Sequence, residues 1–145
     1  MSNKAQKFYY SNLINKRHIL VGSLALKLYN PNFRDAKDVD ITFPSTEFAF
    51  NYLSNMKDPE FKITDEEGSE YEGLISFRLA FNDGSFVDVI NAAPEFEIIN
   101  NIKVGTLKSI LYAKKRILFA EIEKENPRIE VIKKHYNDLK FLNNI

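Results

Sequence analysis

The stretch RDAKDVDITF, residues 34–43, sets Asp38 and Asp40 two positions apart inside a run of strand-forming residues. In a β-strand alternate residues share a face, about 6.5–7 Å apart along the backbone. The two carboxylates therefore point one way, and Val39 and Ile41 point the other way into a core. Carboxylates held that close repel, and burying them unpaired costs several kcal/mol or forces protonation. A divalent cation between them removes the conflict. An exposed edge strand, on which both acids meet water, removes it equally well. Other acidic pairs of this spacing, including Asp58/Glu60, Asp65/Glu67, Glu70/Glu72, Glu95/Glu97 and Glu121/Glu123, fall in polar loops or on helices, where solvation accounts for them.

Two further features bear on the choice. Gly22-Ser23 stands where a buried strand meets a helix. Glycine lets a ligand approach the backbone, and a helix start offers unpaired N–H groups to an anion. Ser23 there either caps the helix or donates to a phosphate. Asp88, in SFVDVI, is again a lone carboxylate among strand formers, with Val87 and Val89 facing away from it. If its strand lies beside that of Asp38 and Asp40, three carboxylates converge near a phosphate-binding helix start. Such a set suits a two-magnesium site.

The supporting residues each carry two readings. Lys114 lies mid-helix on an apolar face and either snorkels at the core edge or reaches a triphosphate. Arg34 either holds the loop before the Asp38 strand or touches a phosphate. His18 reads as a partly buried spacer. His135 and Asp138, three apart on one helix, suggest a local hydrogen bond, with Asp138 alternatively orienting Lys114. Phe8, Tyr9, Phe48, Phe50, Phe77 and Phe81 read as core. Tyr112 and Tyr136 could stack on a base, but nothing selects them.

These residues need elements to hold them. Apolar spacing in KAQKFYYSNLIN predicts an amphipathic helix, HILVG a short buried strand, and SLALKLY about two helical turns stopped at Asn30-Pro31-Asn32. KDVDITF is the second strand. EFAFNYLSNM follows as a helix with Phe48, Tyr52 and Leu53 on one face, and EFKIT as an edge strand. GLISFRLAF and SFVDVI flank Asn82-Asp83-Gly84, a strong hairpin signal. Residues 91–104 show no clear period. TLKSILYAKKRILFAEIEK then turns Leu107, Ile110, Leu111, Lys114 and Leu118 to one side, and PRIEVIKKHYNDLKFL closes the chain with Pro127 in its first turn. The expected fold is α+β: a mixed sheet of about four or five strands, closed by two C-terminal helices. Residues 1–145 read as one domain, with a sheet-bearing part at 1–104 and a helical part at 105–145.

Composition narrows the chemistry. Apolar residues make up 44% of the 145, with 12 Phe and 7 Tyr, which supports a packed globule. Zero Cys and two His exclude thiolate sites and disfavour a multi-histidine metal centre, so any metal takes oxygen ligands, as magnesium and manganese do. No apolar run is long enough to cross a membrane, no secretory leader precedes the first helix, and the lack of Cys fits a reducing cytoplasm. The net charge is zero, yet residues 103–140 hold ten Lys/Arg against five Asp/Glu, leaving ten against fifteen elsewhere. That balance argues against nonspecific duplex DNA binding. It leaves room for a metal-binding acidic part and an anion-binding basic part.

VGSLALKLYNPNFRDAKDVDITF followed by FVDVI resembles the nucleotidyltransferase superfamily typified by DNA polymerase beta. The closer resemblance is to its small bacterial and phage branch, which includes abortive-infection toxin-type and aminoglycoside nucleotidyltransferases. That branch often reads Gly-[Gly/Ser]-x-Ala-Leu, then Arg-x-Thr-x-Asp-hydrophobic-Asp. Gly22 to Leu26 and Arg34 to Asp40 follow it, and ILYAKKRI with Lys114 and KHYNDLKFL with Asp138 resemble its back half, so the likeness spans roughly residues 18–142. Ala36 stands where Thr or Ser is frequent, the step from Ser23 to Asp38 is long, and the toxin-type enzymes are usually larger.

The resemblance implies that Asp38, Asp40 and Asp88 hold two Mg²⁺ (or Mn²⁺), and that Gly22, Ser23, Lys114 and Arg34 bind the nucleoside triphosphate. It implies transfer of a nucleoside monophosphate to a hydroxyl of a small molecule, a protein or an RNA 3′ end, with pyrophosphate leaving. A partner protein or a second copy could complete the cleft. The alternative is a binding-only protein on the same fold, a nucleotide sensor or antitoxin-like partner; a third reading is a small structural domain with coincidental acids.

Overall fold

A computed structural model describes residues 2–14, 17–64 and 75–142. Seven strands form one sheet: β1 (Ile19–Val21), β2 (Val39–Thr42), β3 (Phe61–Thr64), β4 (Ile75–Phe81), β5 (Phe86–Ile90), β6 (Phe96–Ile99) and β7 (Ile102–Gly105). Their order is β3-β4-β5-β2-β1-β7-β6. β2 runs parallel to β5, and β1 parallel to β7; the other neighbours are antiparallel.

The register explains why these segments pair. Residues opposite one another across a sheet share a face. Leu79, Val87 and Val39 make one apolar row, and Phe77, Val89, Ile41, Leu20 and Val104 make the next. All eight are at most 4% exposed. Each such side chain contributes about 1.5–3 kcal/mol on burial. A slip of one residue would turn both rows to the opposite face, so the register is tightly specified. The residues between the rows, Arg78, Asp88, Asp40 and Val21, are thereby forced onto that other face, the polar side of the design.

Helix α1 (Lys4–Phe8) starts from a capping box between Asn3 and Gln6 and runs on as a π-helical turn, Tyr9–Leu13. Ala5, Tyr9 and Leu13 are fully buried, and the Phe8 ring meets Phe61 and Phe81. His18 is buried as well, its Nε2 2.7 Å from the Tyr9 hydroxyl, so it ties this helix to β1 and is no partly buried spacer. Helix α2 (Gly22–Tyr29) leaves directly from β1, α3 (Thr46–Ser54) is capped by Ser45, and α4 (Leu107–Ile122) by Thr106. Helix α5 (Ile129–Phe141) packs against α4. Among the described residues no helix is long and apolar enough to cross a membrane.

The structure corrects several expectations. The sheet has seven strands, not four or five, because residues 91–104 contain most of the β6–β7 hairpin. Its turn, Asn100-Asn101, has φ of 52° and 65°, a left-handed pair that asparagine tolerates better than most residues. The buried face of α3 is Ala49 and Leu53; Phe48 and Phe50 are 57% and 46% exposed and are not core. Leu107 is exposed, whereas Ile117 and Glu121 join the inward side of α4. Glu121 is not a solvated surface acid. It is buried and accepts from Arg128 at 2.7 Å and Lys124 at 2.9 Å, closing the α4–α5 turn. Pro127 stands two residues before α5, not in its first turn. The acids Asp65/Glu67 and Glu70/Glu72, and the start of GLISFRLAF, lie outside the described residues.

Candidate active site

The acidic centre comes from strand pairing. β2 and β5 lie side by side with Asp40 opposite Asp88, and Val21 of β1 flanks Asp40 on its other side. One residue beyond Val21 the chain turns at Gly22 into α2. Gly22 has φ +72°, and a Cβ there would overlap the Asp40 carboxylate. Backbone and carboxylate thus touch where only glycine leaves room. We expect Gly22→Ala to lose about 2–3 kcal/mol of unfolding free energy in urea, combining left-handed strain with the overlap. An unchanged midpoint would mean that the turn relaxes freely.

Asp40 is buried, and its Oδ1 has no hydrogen-bond partner. Burial, with the charges of Asp88 and Asp38 nearby, pushes its carboxyl up to about 8. Asp38 stands just before β2 and accepts from the Phe86 backbone N–H at 3.3 Å. Burial raises it to about 6, assisted by Asp88 and opposed by that hydrogen bond and by Arg78. An orphaned buried carboxylate oxygen beside a second strained acid fits an oxygen-ligated divalent cation, which would relieve both. Asp88 differs. Arg78, opposite it on β4, donates to both its oxygens, Nε at 2.6 Å and Nη2 at 3.0 Å. Among the described residues no three His, Cys, Asp or Glu side chains are gathered as a metal cluster.

A basic group forms the other half. Arg34 grips Asp138 with two bonds of 2.8 Å and reaches the Ser23 hydroxyl at 2.9 Å. Asp138 also accepts from Lys114 Nζ at 2.8 Å, and His135 Nδ1 lies 3.2 Å from the same nitrogen. Burial lowers the Lys114 ammonium although Asp138 opposes it. Burial would raise Asp138, but the Arg34 bonds and the Lys114 charge outweigh it and hold the carboxyl below its usual range. Lys134 of α5 bears electrostatically on Asp38, Asp40 and Lys114 at once.

Gly22 therefore lies against Asp40, which pairs with Asp88 across the strands, while Ser23, Arg34 and Lys114 join through Asp138. Ser23 does not cap α2, whose start carries no side-chain cap; its hydroxyl accepts from Arg34 instead. His135 and Asp138 both meet Lys114, so the orienting role for Asp138 has a geometric basis. Tyr112 and Tyr136 are exposed on the helices. Arg78 and Lys134 escaped the sequence reading. The first was findable, because a three-residue Asn82-Asp83-Gly84 loop sets Arg78 opposite Asp88. Nothing in a Lys-Lys dipeptide marks the second.

No family model matches the sequence, and no curated protein matches it. Solved structures do. The "putative nucleotidyltransferase from H. pylori" aligns over 98% of this chain and 69% of its own, with TM-score 0.56 and 20% identity. The solution structure of the antibiotic-resistance factor ANT(2'')-Ia aligns over 96% of this chain and 80% of its own, with TM-score 0.53 and 14% identity. The crystal structure of ANT(2'')-Ia in complex with adenylyl-2''-tobramycin aligns over 96% and 86%, with TM-score 0.50 and 13% identity. The chain has the fold of these nucleotidyltransferases, as the sequence resemblance implied.

Proposed function

We propose that this chain is a nucleotidyltransferase that moves a nucleoside monophosphate from a nucleoside triphosphate onto a hydroxyl acceptor. The observation that carries the proposal is the Asp40 carboxylate, whose Oδ1 is buried without a partner and whose Oδ2 lies against Gly22 at the uncapped start of α2. Fold alone would not support it, since one fold hosts many functions. Here a cation-seeking carboxylate and an anion-seeking helix start share one spot, which suits a metal-bound polyphosphate.

In this reading the amides of Gly22 and Ser23 receive phosphate oxygens, with Arg34 and Lys114 supplying counter-charge. Asp138 is a positioning residue that aims both cations. A divalent cation held by Asp38 and Asp40, magnesium or manganese, would neutralise triphosphate charge and polarise the α-phosphate. The acceptor oxygen forms a bond to the α-phosphorus, the bond from the α-phosphorus to the oxygen bridging to the β-phosphate breaks, the hydroxyl proton passes to solvent, and pyrophosphate leaves with the bridging oxygen. The acceptor classes are a small hydroxylated molecule, such as the aminoglycoside joined to adenylate in the ANT(2'')-Ia complex, a protein side chain or an RNA 3′ end. A binding-only role would gain from an Asp88 turned away from the Asp40 face, and Asp88 instead shares its cross-strand row with Asp40.

The test uses each of the four triphosphates labelled at the α- or the γ-phosphate, with Mg²⁺ and panels of aminoglycosides, RNAs and proteins. Label should pass to an acceptor from the α-position alone, with pyrophosphate formed in equal amount. Transfer from the γ-position would identify a kinase and overturn the reading.

A further inference from the structure

We propose that Arg78 is a built-in cation standing where a second metal ion would otherwise sit, so that this site loads one divalent ion, on Asp38 and Asp40, and not two. The inference rests on the reading of Asp38 and Asp40 as a cation site, and it revises the expected part of Asp88.

The geometry at Asp88 is that of a finished ion pair. Both carboxylate oxygens accept from Arg78, and the two side chains are 0% and 13% exposed. A bidentate pair of this kind has a fixed orientation as well as charge. The guanidinium is held from its other side too, lying 3.4 Å from the centroid of the Phe86 ring. Strand register puts Arg78 opposite Asp88 in the β4–β5 hairpin, so the pair is built by the fold and not by a long side chain wandering into place. A metal ion bound to Asp88 at about 2.0–2.6 Å would sit against that guanidinium, cation on cation. Moving Arg78 aside would strand two largely buried charges, Arg78 and Asp88, without their partners.

Charge balance agrees. Asp38, Asp40 and Asp88 carry three negative charges when ionised, and Arg78 offsets one of them. The remaining two, near which Lys134 adds a positive charge, leave no surplus for a second divalent ion. They lie on Asp40, which has an oxygen without a partner, and on Asp38, which accepts one bond, from the Phe86 backbone N–H. The unsatisfied acceptor in the row is on Asp40, and the satisfied one is Asp88.

Counting bound Mn²⁺ by electron paramagnetic resonance tests the proposal without reference to turnover. The intact chain is titrated with MnCl₂, alone and with a non-hydrolysable ATP analogue. The wild type should bind one ion per chain in both conditions, with the spectrum of an isolated ion. Arg78→Gln should bind two, with the broadening of a spin-coupled pair, and Arg78→Lys, which keeps the buried charge, should stay at one. Two coupled ions in the wild type would overturn the proposal and leave the cation site standing. One ion in a folded Arg78→Gln would also overturn it. No bound ion in any variant would remove the Asp38–Asp40 site itself, and the proposed function with it. Should Arg78→Gln fail to fold, the wild-type count with the analogue still decides between one ion and two.

Discussion

Asp40→Asn is expected to abolish nucleotidyl transfer, by 10³-fold or more, while making the metal-free chain more stable at pH 8. A loss of about 10³ corresponds to about 4 kcal/mol of transition-state stabilisation, within what a cation on a transferring phosphoryl group supplies. The gain in stability follows from the same burial. The folded Asp40 carboxyl is pushed up to about 8 and Asp38 to about 6, against a model-peptide carboxyl near 4. Between about pH 4 and pH 8 the folded chain therefore holds protons that the unfolded chain has released. Stability contributed by these groups is fully present below pH 4 and falls as the pH rises through that window. An amide cannot ionise, so Asp40→Asn escapes the penalty. A rise in melting temperature of about 5 °C at pH 8, shrinking toward pH 4.5, is the expected result. Adding Mg²⁺ should stabilise the wild type at pH 8 and not the variant, with protons released on binding. A variant less stable than the wild type at pH 8 without metal would show that the carboxylate is well satisfied.

Asp138→Ala is expected to cost the most stability of any single change in the basic group, about 3–5 kcal/mol. The carboxylate serves Lys114 and Arg34 together, and Lys114 is almost fully enclosed. Removal leaves a buried ammonium without its anion. The ammonium is already lowered by burial, so the variant should recover partly as the pH rises toward 10 and Lys114 loses its proton. Replacing both buried partners, Lys114→Met with Asp138→Leu, should restore most of the loss, because an apolar pair of similar volume carries no desolvation cost. The double variant should fold and still bind triphosphate poorly. Chemical denaturation separates these cases. Equal instability of the single and double variants would show that packing, and not charge pairing, holds this corner.

The acid-bearing half of the sheet was legible because its signals are local. Val39 and Ile41 against Asp38 and Asp40 announced a strand with its apolar face in the core, though β2 is buried on both faces, and Asn82-Asp83-Gly84 announced the hairpin that delivers Asp88. The β6–β7 hairpin was missed because β6 is mostly exposed and so shows no apolar alternation. Its one signal was Asn100-Asn101, which reads as a turn only once φ is known to be positive. Phe48 and Phe50 misled because an exposed aromatic and a core aromatic have the same composition. The site's charge pairing was the hardest part to read. Long-range contacts such as Arg34 with Asp138, 104 residues apart, leave no mark on local spacing. Arg78 is the exception, since hairpin register alone sets it opposite Asp88.

On the proposed reading, Asp38, Asp40 and the start of α2 together bind a metal-complexed nucleoside triphosphate. Isothermal titration of each of the four triphosphates, with Mg²⁺ present, into the wild type and into an Asp38→Asn/Asp40→Asn variant tests it most directly. Saturable binding of at least one triphosphate to the wild type is expected, lost when Mg²⁺ is removed by chelation and lost in the folded variant. Absence of binding for all four, or equal binding by the variant, would contradict it.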